Sequence, residues 1–389
     1  MDFTFTEEQQ AAVEAAKAVF AGVAPDGVPS PALTPGAVAD DFDRALWAKL
    51  ADADLLSLLL EPKYGGAGLD AIALCLVLRE SAKVLARVPL LESTAAAMAI
   101  QAHGSEELKA ALLERAGRGE TVLTVAANGR TGHDPAELAV AARHESDGTW
   151  VLDGVQTAVP WAYNADFVLV PAHAPAAGRT VLALVPRLHE GAVLAEQIST
   201  TGERLGELSL DSVRLPARDV LDADGAWEWL RALLATGTCA LALGLGEGVL
   251  GMTSEYTGKR EQFGFPIATF QAVAVQAADR YIDLRAMEAT LWQAAWRVGS
   301  GTGTGAGAGA GAGAALPLAG DVAVAKIWAS EGVRRVVQTA QHLHGGFGAD
   351  VEYPLHRYHA WAKQLELSLG PAAAHEEALG DLLATHALG

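Results

Sequence analysis

The chain has 389 residues, of which 51% are hydrophobic, and this length allows two or three domains around sizeable cores. Its formal net charge of −19 repels phosphate backbones and argues against nucleic-acid binding. The two cysteines, Cys75 and Cys239, fit neither a disulfide framework nor a zinc-ligand pattern, and the acidic N-terminus lacks the features of a signal peptide. We therefore expect a globular protein of the reducing cytoplasm.

Residues 1–120 are predicted to form a helical domain. Thr6 and Gln9 stand at the spacing of a capping box, and apolar residues then recur at helical spacing. Clusters of Pro and Gly interrupt the pattern at 24–35 and again at 61–70. These two segments are predicted to be loops between helices.

A β domain is predicted over residues 121–220, because short runs rich in β-branched residues replace the helical pattern. The four runs are 122–125, 150–152, 167–170 and 180–185. The dipeptide Asp153-Gly154 follows the second run directly and is typical of a hairpin turn. We therefore expect the chain to reverse there.

Residues 221–389 are predicted to form a second helical domain. Segment 232–246 carries no charge, but it is shorter than the roughly 20 apolar residues that a membrane span needs. It is therefore predicted to be a buried core helix, and we expect no membrane span. Segment 299–315 is almost purely Gly and Ala and is predicted to be a flexible surface loop between two helices.

Two segments of the C-terminal region carry a pattern typical of a ligand site. Segment 341–348 places glycines directly after a helical stretch, and glycine lets a backbone come close to a bulky ligand. Backbone N–H groups near a helix end can also face an anion such as a pyrophosphate. Upstream, Arg260 stands beside Gln262 and Phe263 at the predicted end of a long helix. Taken alone, Arg260 could equally complement the helix macrodipole.

Four histidines in the same region raise the question of a metal site: His342, His344, His356 and His359. No Asp or Glu completes the spacing of a metalloprotease motif, and a predicted helix end separates the first two. We expect no bound metal.

Together, these segments, the loop at 61–70 and the helix–sheet–helix order resemble the acyl-CoA dehydrogenase family over almost the whole chain. The resemblance implies an α+β fold with an N-terminal helical domain, a middle β domain and a C-terminal four-helix bundle. It also implies FAD as the cofactor. In the family, the matching positions serve chiefly the FAD of a neighbouring subunit, and here they are Arg260, Gln262, Phe263, Gln341, Gly345, Gly346 and Gly348.

The catalytic base that the resemblance implies is missing. In the family, a carboxylate removes the α-proton of an acyl thioester while the flavin takes a hydride from the β-carbon. Leu369 stands where many members carry this base, and Leu234 stands where others carry it. Leucine cannot accept a proton. The nearest substitutes are Glu366 and Glu228, for which a place on a solvated helix face is the alternative interpretation.

Two loops of the β domain also depart from the family pattern. Segment 158–160 reads Ala-Val-Pro where the family commonly has Trp-Ile-Thr or Trp-Ile-Ser, so an indole, a hydroxyl and one backbone N–H are absent. Trp161 follows directly and would either compensate or pack in the core. Segment 126–134 lacks the Glu-Pro pair of the corresponding family loop.

These departures follow one pattern. In the family, the altered motifs hold the flavin ring of the same subunit, whereas the retained motifs contact the FAD of a neighbouring subunit. The chain is therefore predicted to be a base-less subunit that completes the FAD site of a catalytic homologue. It is similar in this respect to the α2β2 acyl-CoA dehydrogenases of steroid side-chain degradation.

Such a complex would form a 2,3-double bond in an acyl-CoA, possibly a steroid side-chain thioester, and pass electrons to an electron-transfer flavoprotein. Two alternatives stay open from the sequence. The first is a self-sufficient FAD enzyme of the same fold with altered acyl-thioester chemistry, and the second is a flavin-free scaffold subunit.

Overall fold

The computed structural model describes residues 4–132, 137–176, 178–300 and 317–385. Helices occupy both ends of the chain, and a sheet lies between them, which confirms the predicted α+β fold. The predicted glycine/alanine loop lies outside the described residues from position 301 onward, as do residues 133 and 134 of the altered β-domain loop.

From residue 4 onward, the N-terminal region contains five α-helices and one short 3-10 helix. The helices are α1 (Glu7–Phe20), α2 (Arg44–Asp52), α3 (Ala71–Lys83), α4 (Leu90–His103) and α5 (Glu106–Gly117), with the 3-10 helix at Pro62–Tyr64. The Thr6 hydroxyl accepts from the Gln9 N–H at 3.2 Å, and the Gln9 side chain accepts from the Thr6 N–H at 3.0 Å. The predicted capping box at the start of α1 is thus confirmed.

In the part of the middle region that the structure describes, eight strands form one sheet. They are β1 (Leu123–Val125), β2 (Val140–His144), β3 (Thr149–Val159), β4 (Phe167–Ala174), β5 (Arg179–Pro186), β6 (Ala192–Ile198), β7 (Arg204–Pro216) and β8 (Val220–Leu221). The order is β6-β7-β3-β2-β4-β5-β8, with β1 parallel to β4. Alternate residues of β4 face opposite cores: Leu169 packs with the helices, whereas Val168 and Val170 pack within the sheet region.

The hairpin predicted at Asp153-Gly154 is wrong. Strand β3 continues through this dipeptide, and its register with β7 shifts between Leu152 and Gly154, which marks a β-bulge. Gly154 has a φ of 150°, and a Cβ there would stand 2.3 Å from the Ala139 carbonyl oxygen. The reversal falls instead at the preceding Asp147-Gly148, between β2 and β3, where Gly148 has a φ of 84°. The dipeptide Asp-Gly thus forms a turn at positions 147–148 and lies at a β-bulge at positions 153–154.

The described residues of the C-terminal region form five α-helices and a small hairpin. The helices are α6 (Ala226–Lys259), α7 (Gln271–Ser300), α8 (Leu318–His344), α9 (Leu355–Leu367) and α10 (Ala372–Thr385), and the hairpin strands are β9 (Glu261–Gln262) and β10 (Phe265–Pro266). Helix α6 packs against α3, α4, α7, α8 and α9 and is the central helix of the fold. It is long and apolar enough to cross a membrane, yet 78% of its most apolar window is buried, in agreement with the predicted core helix.

Candidate functional site

The end of α6 presents the first of the two retained segments. Arg260 caps the helix, and its N–H donates to the Tyr256 carbonyl at 2.8 Å. The chain then reverses through Phe263 and Gly264, whose φ values of 56° and 81° suit a two-residue turn with positive φ at both positions. Arg260, Gln262 and Phe263 are all exposed, and Phe263 is 91% exposed. The helix end therefore displays a cation and an aromatic ring to solvent.

The end of α8 presents the second segment, a 3-10 turn over Gly345–Ala349. Gly345 adopts a φ of 61°, which favours glycine. A Cβ at Gly345 or at Gly346 would meet no atom within 4 Å, and both residues are exposed. The main chain of this turn is thus open to a ligand or to another protein chain.

Gln341 shapes this turn from within. With its amide oriented to satisfy both groups, Gln341 donates to the Gly348 carbonyl and accepts from the Ala349 N–H, each at 3.1 Å. Gly348 is buried, and a Cβ there would lie 2.9 Å from the end of the Gln341 amide group. In this chain, Gln341 and Gly348 therefore hold the turn, while Gly345 and Gly346 form its open face.

Tyr256 joins the two segments. Its ring stacks on His344 with centroids 4.3 Å apart and on Phe347 with centroids 5.5 Å apart. The ends of α6 and α8 therefore form one continuous surface, which we call the helix-end surface and define as residues 256–270 and 341–349.

His344 is a fixed structural element of that surface. Its Nδ1 lies 2.8 Å from the Ala340 carbonyl and its Nε2 lies 3.1 Å from the Tyr353 hydroxyl. Since a carbonyl can only accept, Nδ1 donates and Nε2 accepts from Tyr353, as in neutral imidazole. Burial lowers the pKa of His344, which favours that neutral form. The contacts of this histidine hold the glycine turn and give no indication of a metal ligand.

The helix-end surface combines free positive charge with exposed apolar side chains. Across the described ranges, no acidic side chain forms an ion pair with Arg260, whereas the neighbouring Lys259 pairs with Glu255. Large exposed apolar residues lie on this surface and on the first turns of α7: Phe263, Phe265 and Phe270 on the surface, and Val275, Tyr281 and Ile282 on α7. Several large exposed apolar residues in one region are typical of an interaction surface.

A cavity of about 370 Å³, partly open to solvent, has a volume within the range of small-molecule pockets. It is lined by residues of α3, α4, α6, the end of α9 and the sheet. Both Leu234, from α6, and Leu369, from the loop after α9, line it. His375 Nε2 lies 2.9 Å from the Leu369 carbonyl and helps to hold that loop. The two positions where the family resemblance leads one to expect a base thus meet in one cavity, and both are apolar.

Neither substitute base lines the cavity. Glu366 lies near the end of α9, and its carboxylate accepts from Lys363 at 2.6 Å. Glu228 is exposed in the first turn of α6. The interpretation of Glu228 as part of a solvated helix face agrees with this placement.

Two glutamates that the sequence interpretation did not single out do line the cavity. Glu92, in the first turn of α4, accepts from the Trp161 indole N–H at 3.1 Å, and burial raises its pKa to about 7. Glu203, only 4% exposed, accepts from the Gln364 amide at 2.8 Å, and burial raises its pKa as well. Glu92 could have been noticed as a lone acid in the otherwise uncharged run 88–102. No comparable feature of the sequence distinguishes Glu203.

The loop that faces a flavin ring in the family does not fit one here. The Ala158 N–H donates to the Gln197 side chain at 2.8 Å, and Pro160 has no N–H to offer. Trp161 is buried, packs edge-on against Phe42 at 6.3 Å and commits its indole N–H to a carboxylate. Trp161 therefore packs in the core, and neither position 158 nor position 160 has a free donor for a flavin ring in this chain's own cavity.

The cavity and the helix-end surface lie far apart along α6. Arg260 follows Leu234 by 26 positions, which corresponds to roughly 39 Å along a helix that rises 1.5 Å per residue. The retained segments therefore face a site other than the cavity that Leu234 lines.

Comparisons with known proteins agree with this architecture. The family model described as the acyl-CoA dehydrogenase N-terminal domain matches residues 6–120, and the model for the acyl-CoA dehydrogenase C-terminal domain matches residues 232–383. A curated relative, the acyl-CoA dehydrogenase FadE27 of Mycobacterium tuberculosis, is 36% identical over 345 residues, which cover 88% of this chain and 89% of the relative.

Two solved structures are similar over nearly the whole length. The ChsE4-ChsE5 complex from Mycobacterium tuberculosis contains a chain that is 35% identical, with a TM-score of 0.87 and full coverage of both chains. The Tcur3481-Tcur3483 steroid ACAD, solved as a variant, contains a chain that is 36% identical, with a TM-score of 0.86 and coverage of 97% of this chain and 98% of that one.

Proposed function

Because the chain belongs to the acyl-CoA dehydrogenase family of FAD-dependent oxidoreductases, we propose that it is a base-less subunit that completes the FAD site of a catalytic partner. The proposal rests on one observation, which is that the helix-end surface and the chain's own cavity lie far apart along α6. Arg260, on the retained helix-end surface, lies roughly 39 Å from Leu234 along the helix. The chain's own cavity has leucines at both base positions and a loop that does not fit a flavin ring.

At the helix-end surface, three kinds of group would hold the nucleotide half of FAD. The Arg260 guanidinium, free of an ion pair among the described residues, matches a pyrophosphate with two parallel hydrogen bonds. The open main chain at Gly345 and Gly346 allows close approach of the cofactor. Gln262 and Phe263 supply a polar and an apolar contact at the hairpin. When bound, FAD supplies the hydride acceptor for α,β-dehydrogenation of an acyl-CoA.

The partner would supply the missing acid–base chemistry. Neither Leu234 nor Leu369 can take the α-proton, and in this proposal that proton passes to a carboxylate of the catalytic subunit. The exposed apolar residues of the helix-end surface fit burial against such a subunit. An α2β2 arrangement is supported by the similar chains in the ChsE4-ChsE5 and Tcur3481-Tcur3483 structures, whose names each contain two components.

The substrate and the electron acceptor belong to the same proposal. One similar structure is named a steroid ACAD, which supports a steroid side-chain acyl-CoA as the substrate of the complex. An electron-transfer flavoprotein in the cytoplasm would reoxidise the flavin. The alternative of a self-sufficient enzyme that uses Glu228 or Glu366 is disfavoured, because neither residue lines the cavity.

The proposal is tested by Arg260→Ala in the complex of this chain with its partner. Loss of a charge-assisted contact to the pyrophosphate is expected to weaken FAD binding by about 1.5–3 kcal/mol, roughly tenfold to a hundredfold in Kd. Arg115→Ala, at an exposed position on α5, is the matched control and should leave the Kd unchanged. Fluorescence titration of the apo-complex with FAD measures both. An unchanged Kd in Arg260→Ala would contradict the proposal and favour the flavin-free scaffold.

A further inference from the structure

We propose that segment 21–43, which we call the strap, is a latch that controls how wide the cavity opens to solvent. Fastened, the strap holds the turn between β6 and β7 in place at the mouth of the cavity, and its release lets the mouth widen. Asp26 is the residue that fastens it. The latch needs neither FAD nor a partner subunit, so it can be tested apart from the function proposed above.

The strap joins α1 to α2 without forming a helix or a strand. Irregular connections longer than about 12–15 residues are uncommon in compact domains, and many of them serve as lids or binding loops. Such a segment has no helix or sheet bonds of its own, so other parts of the chain must hold it. The strap is attached at two places.

The first attachment is the carboxylate of Asp26. Arg87 donates to both of its oxygens, from Nε to Oδ1 at 3.2 Å and from Nη2 to Oδ2. The Trp361 indole N–H donates to Oδ2 at 3.2 Å, and the Arg87 guanidinium lies 5.4 Å from the centre of the Trp361 ring. The side chains of Asp26 and Arg87 are 5% and 6% exposed, so loss of one would leave the other charge buried and unpaired. Asp26 thus ties the strap to the α3–α4 connection and to α9.

The second attachment is the tip of the turn between β6 and β7. The Ala39 N–H of the strap donates to the Gly202 carbonyl at 2.8 Å, and a Cβ at Gly202 would lie 2.7 Å from the Val28 side chain. The strap therefore packs against this tip from both of its halves. Arg87 Nη2, which binds Asp26, also donates to the Thr201 carbonyl at 2.8 Å. One guanidinium thus fixes the strap and the turn to each other.

The other side of the same turn borders the cavity. Ser199, Thr200 and Glu203 are among its lining residues. Thr200 is exposed, as are two further lining residues, Gly132 and Leu367. The opening to solvent therefore lies at these exposed positions, and the turn forms one lip of it.

The turn meets α9, at the other lip, through hydroxyl groups. The Thr201 hydroxyl donates to the Gln364 side chain at 2.9 Å, and the Thr200 hydroxyl donates to the Ala360 carbonyl at 3.4 Å. Neutral hydrogen bonds of this kind add little net stability, whereas bonds between charged groups add more. The charged attachment through Asp26 and Arg87 therefore dominates the position of the turn, and its loss frees the turn to move away from α9.

The test measures the width of the mouth with two thiol reagents of different size, N-ethylmaleimide and the bulkier N-(1-pyrenyl)maleimide. Leu241→Cys provides a half-buried thiol in the cavity wall of the full-length protein, and intact-mass spectrometry follows its labelling. Adding Asp26→Asn is expected to speed the pyrene reagent by about tenfold or more and N-ethylmaleimide by less than about twofold, because local opening chiefly admits the larger molecule. The native Cys75 and Cys239, both buried, should stay unlabelled and so report that the fold is intact.

Asp40→Asn is the matched control, an equal loss of charge at an exposed position of the same strap, and should leave both rates unchanged. Arg87→Lys keeps the buried charge but loses the fork that holds Asp26 and the Thr201 carbonyl together, so it should speed the pyrene reagent as well. If Asp26→Asn does not fold, this second variant decides. An unchanged pyrene rate in the folded variants, or a rise matched by labelling of Cys75 and Cys239, would overturn the inference. No FAD or acyl-CoA takes part, so failure here leaves the Arg260→Ala test of the proposed function untouched.

Discussion

Leu234 and Leu369 reach the cavity from two different elements, α6 and the loop after α9. Each stands where the family resemblance leads one to expect a proton acceptor, and both border the same space. Substitution of a carboxylate by leucine keeps a side chain of comparable bulk in the wall while it removes acid–base chemistry. The two leucines therefore keep the cavity wall filled but supply no proton acceptor at the two positions where the family resemblance leads one to expect a base.

A first prediction concerns the substitute bases. Glu228→Gln and Glu366→Gln, made together, should leave the acyl-CoA dehydrogenase turnover of the complex within about twofold, because neither carboxylate lines the cavity. Steady-state assays with an artificial electron acceptor measure this. A drop in kcat of about a hundredfold or more, with the complex and its FAD content intact, would show that one of these residues acts as a base in this chain.

A second prediction concerns Glu92. Its pKa in the folded protein, about 7, lies above the ordinary value of 4.5, so between these two pH values the folded state binds more protons than the unfolded state. The free energy of unfolding must then fall as pH rises through this window. Glu92→Gln removes the titration and should stabilise the protein more at pH 8 than at pH 5, by at most about 3 kcal/mol.

Urea denaturation of the variant and the unmodified chain at both pH values measures this difference. Glu352→Gln, at an exposed position, is the control and should show no such pH-dependent gain. An equal effect of Glu92→Gln at pH 5 and pH 8 would contradict the prediction.

Residues of the site are predictable where a motif fixes their spacing. Leu234 and Leu369 follow from counting along recognisable segments, and the structure brings both to one cavity. Glu92 and Glu203 belong to no motif, and only the fold brings residues of α4 and of the turn between β6 and β7 to one cavity. The sequence allows Trp161 two roles, and its indole bond to Glu92 depends on that same long-range packing.

At the scale of elements, the end of α9 is held by a buried cation. Lys326, on α8, is fully buried, and its Nζ donates to Ser330 Oγ at 2.9 Å and to the carbonyls of Leu365 and Glu366 at 3.2 and 3.1 Å. The last carbonyls of a helix have no partner within the helix. Lys326 satisfies two of them and so fixes the loop that carries Leu369.

A third prediction follows for Lys326→Met. The variant keeps the apolar stem but loses three hydrogen bonds and leaves the Leu365 carbonyl without its Lys326 donor, whereas Ser330 still donates to the Glu366 carbonyl. The free energy of unfolding should therefore fall by about 1–3 kcal/mol. Thermal or urea denaturation measures it. Lys17→Met, at an exposed position on α1, is the control and should change stability by less than about 0.5 kcal/mol. An equally stable Lys326→Met would mean that these bonds contribute no net stability.

A fourth prediction concerns the contact between α6 and the glycine turn. Tyr256→Ala removes two stacked aromatic contacts, each worth about 0.5–1.5 kcal/mol, and should speed hydrogen exchange of the Gly345–Ala349 amides by roughly tenfold. FAD retention by the complex should fall with it. Tyr256→Phe keeps both stacks and loses only a long 3.4 Å bond from its hydroxyl to the His344 carbonyl, so it should behave like the unmodified chain. Unchanged exchange in Tyr256→Ala would rule out this positioning role.

The elements themselves are unevenly predictable from the sequence. Helical periodicity and β-rich runs predict the correct order of helices and sheet, since both reflect which faces are buried. Strand β6 is not predicted, because its residues are exposed or half-buried and form no apolar run. The hairpin prediction at Asp153-Gly154 fails because the same dipeptide suits a bulge, and only the pairing of β3 with β7 decides between the two.

At the scale of the whole molecule, α6 separates two surfaces with different roles. One end borders a cavity with its own buried glutamates, and the other end displays Arg260 and a group of exposed aromatic and aliphatic side chains. A single chain cannot bring these two ends to one cofactor, given roughly 39 Å between Leu234 and Arg260 along the helix. Under the proposed function, the molecule is half of a site, which a second and different chain completes.

The most direct test of this account is native mass spectrometry of the tagged chain purified from its own host, because it reports subunit composition and FAD count together. The account predicts a tetramer of two copies of this chain and two copies of a different acyl-CoA dehydrogenase chain, with two FAD. A homotetramer of this chain alone with four FAD would contradict it, and would show that the cavity lined by Leu234 and Leu369 holds a flavin after all.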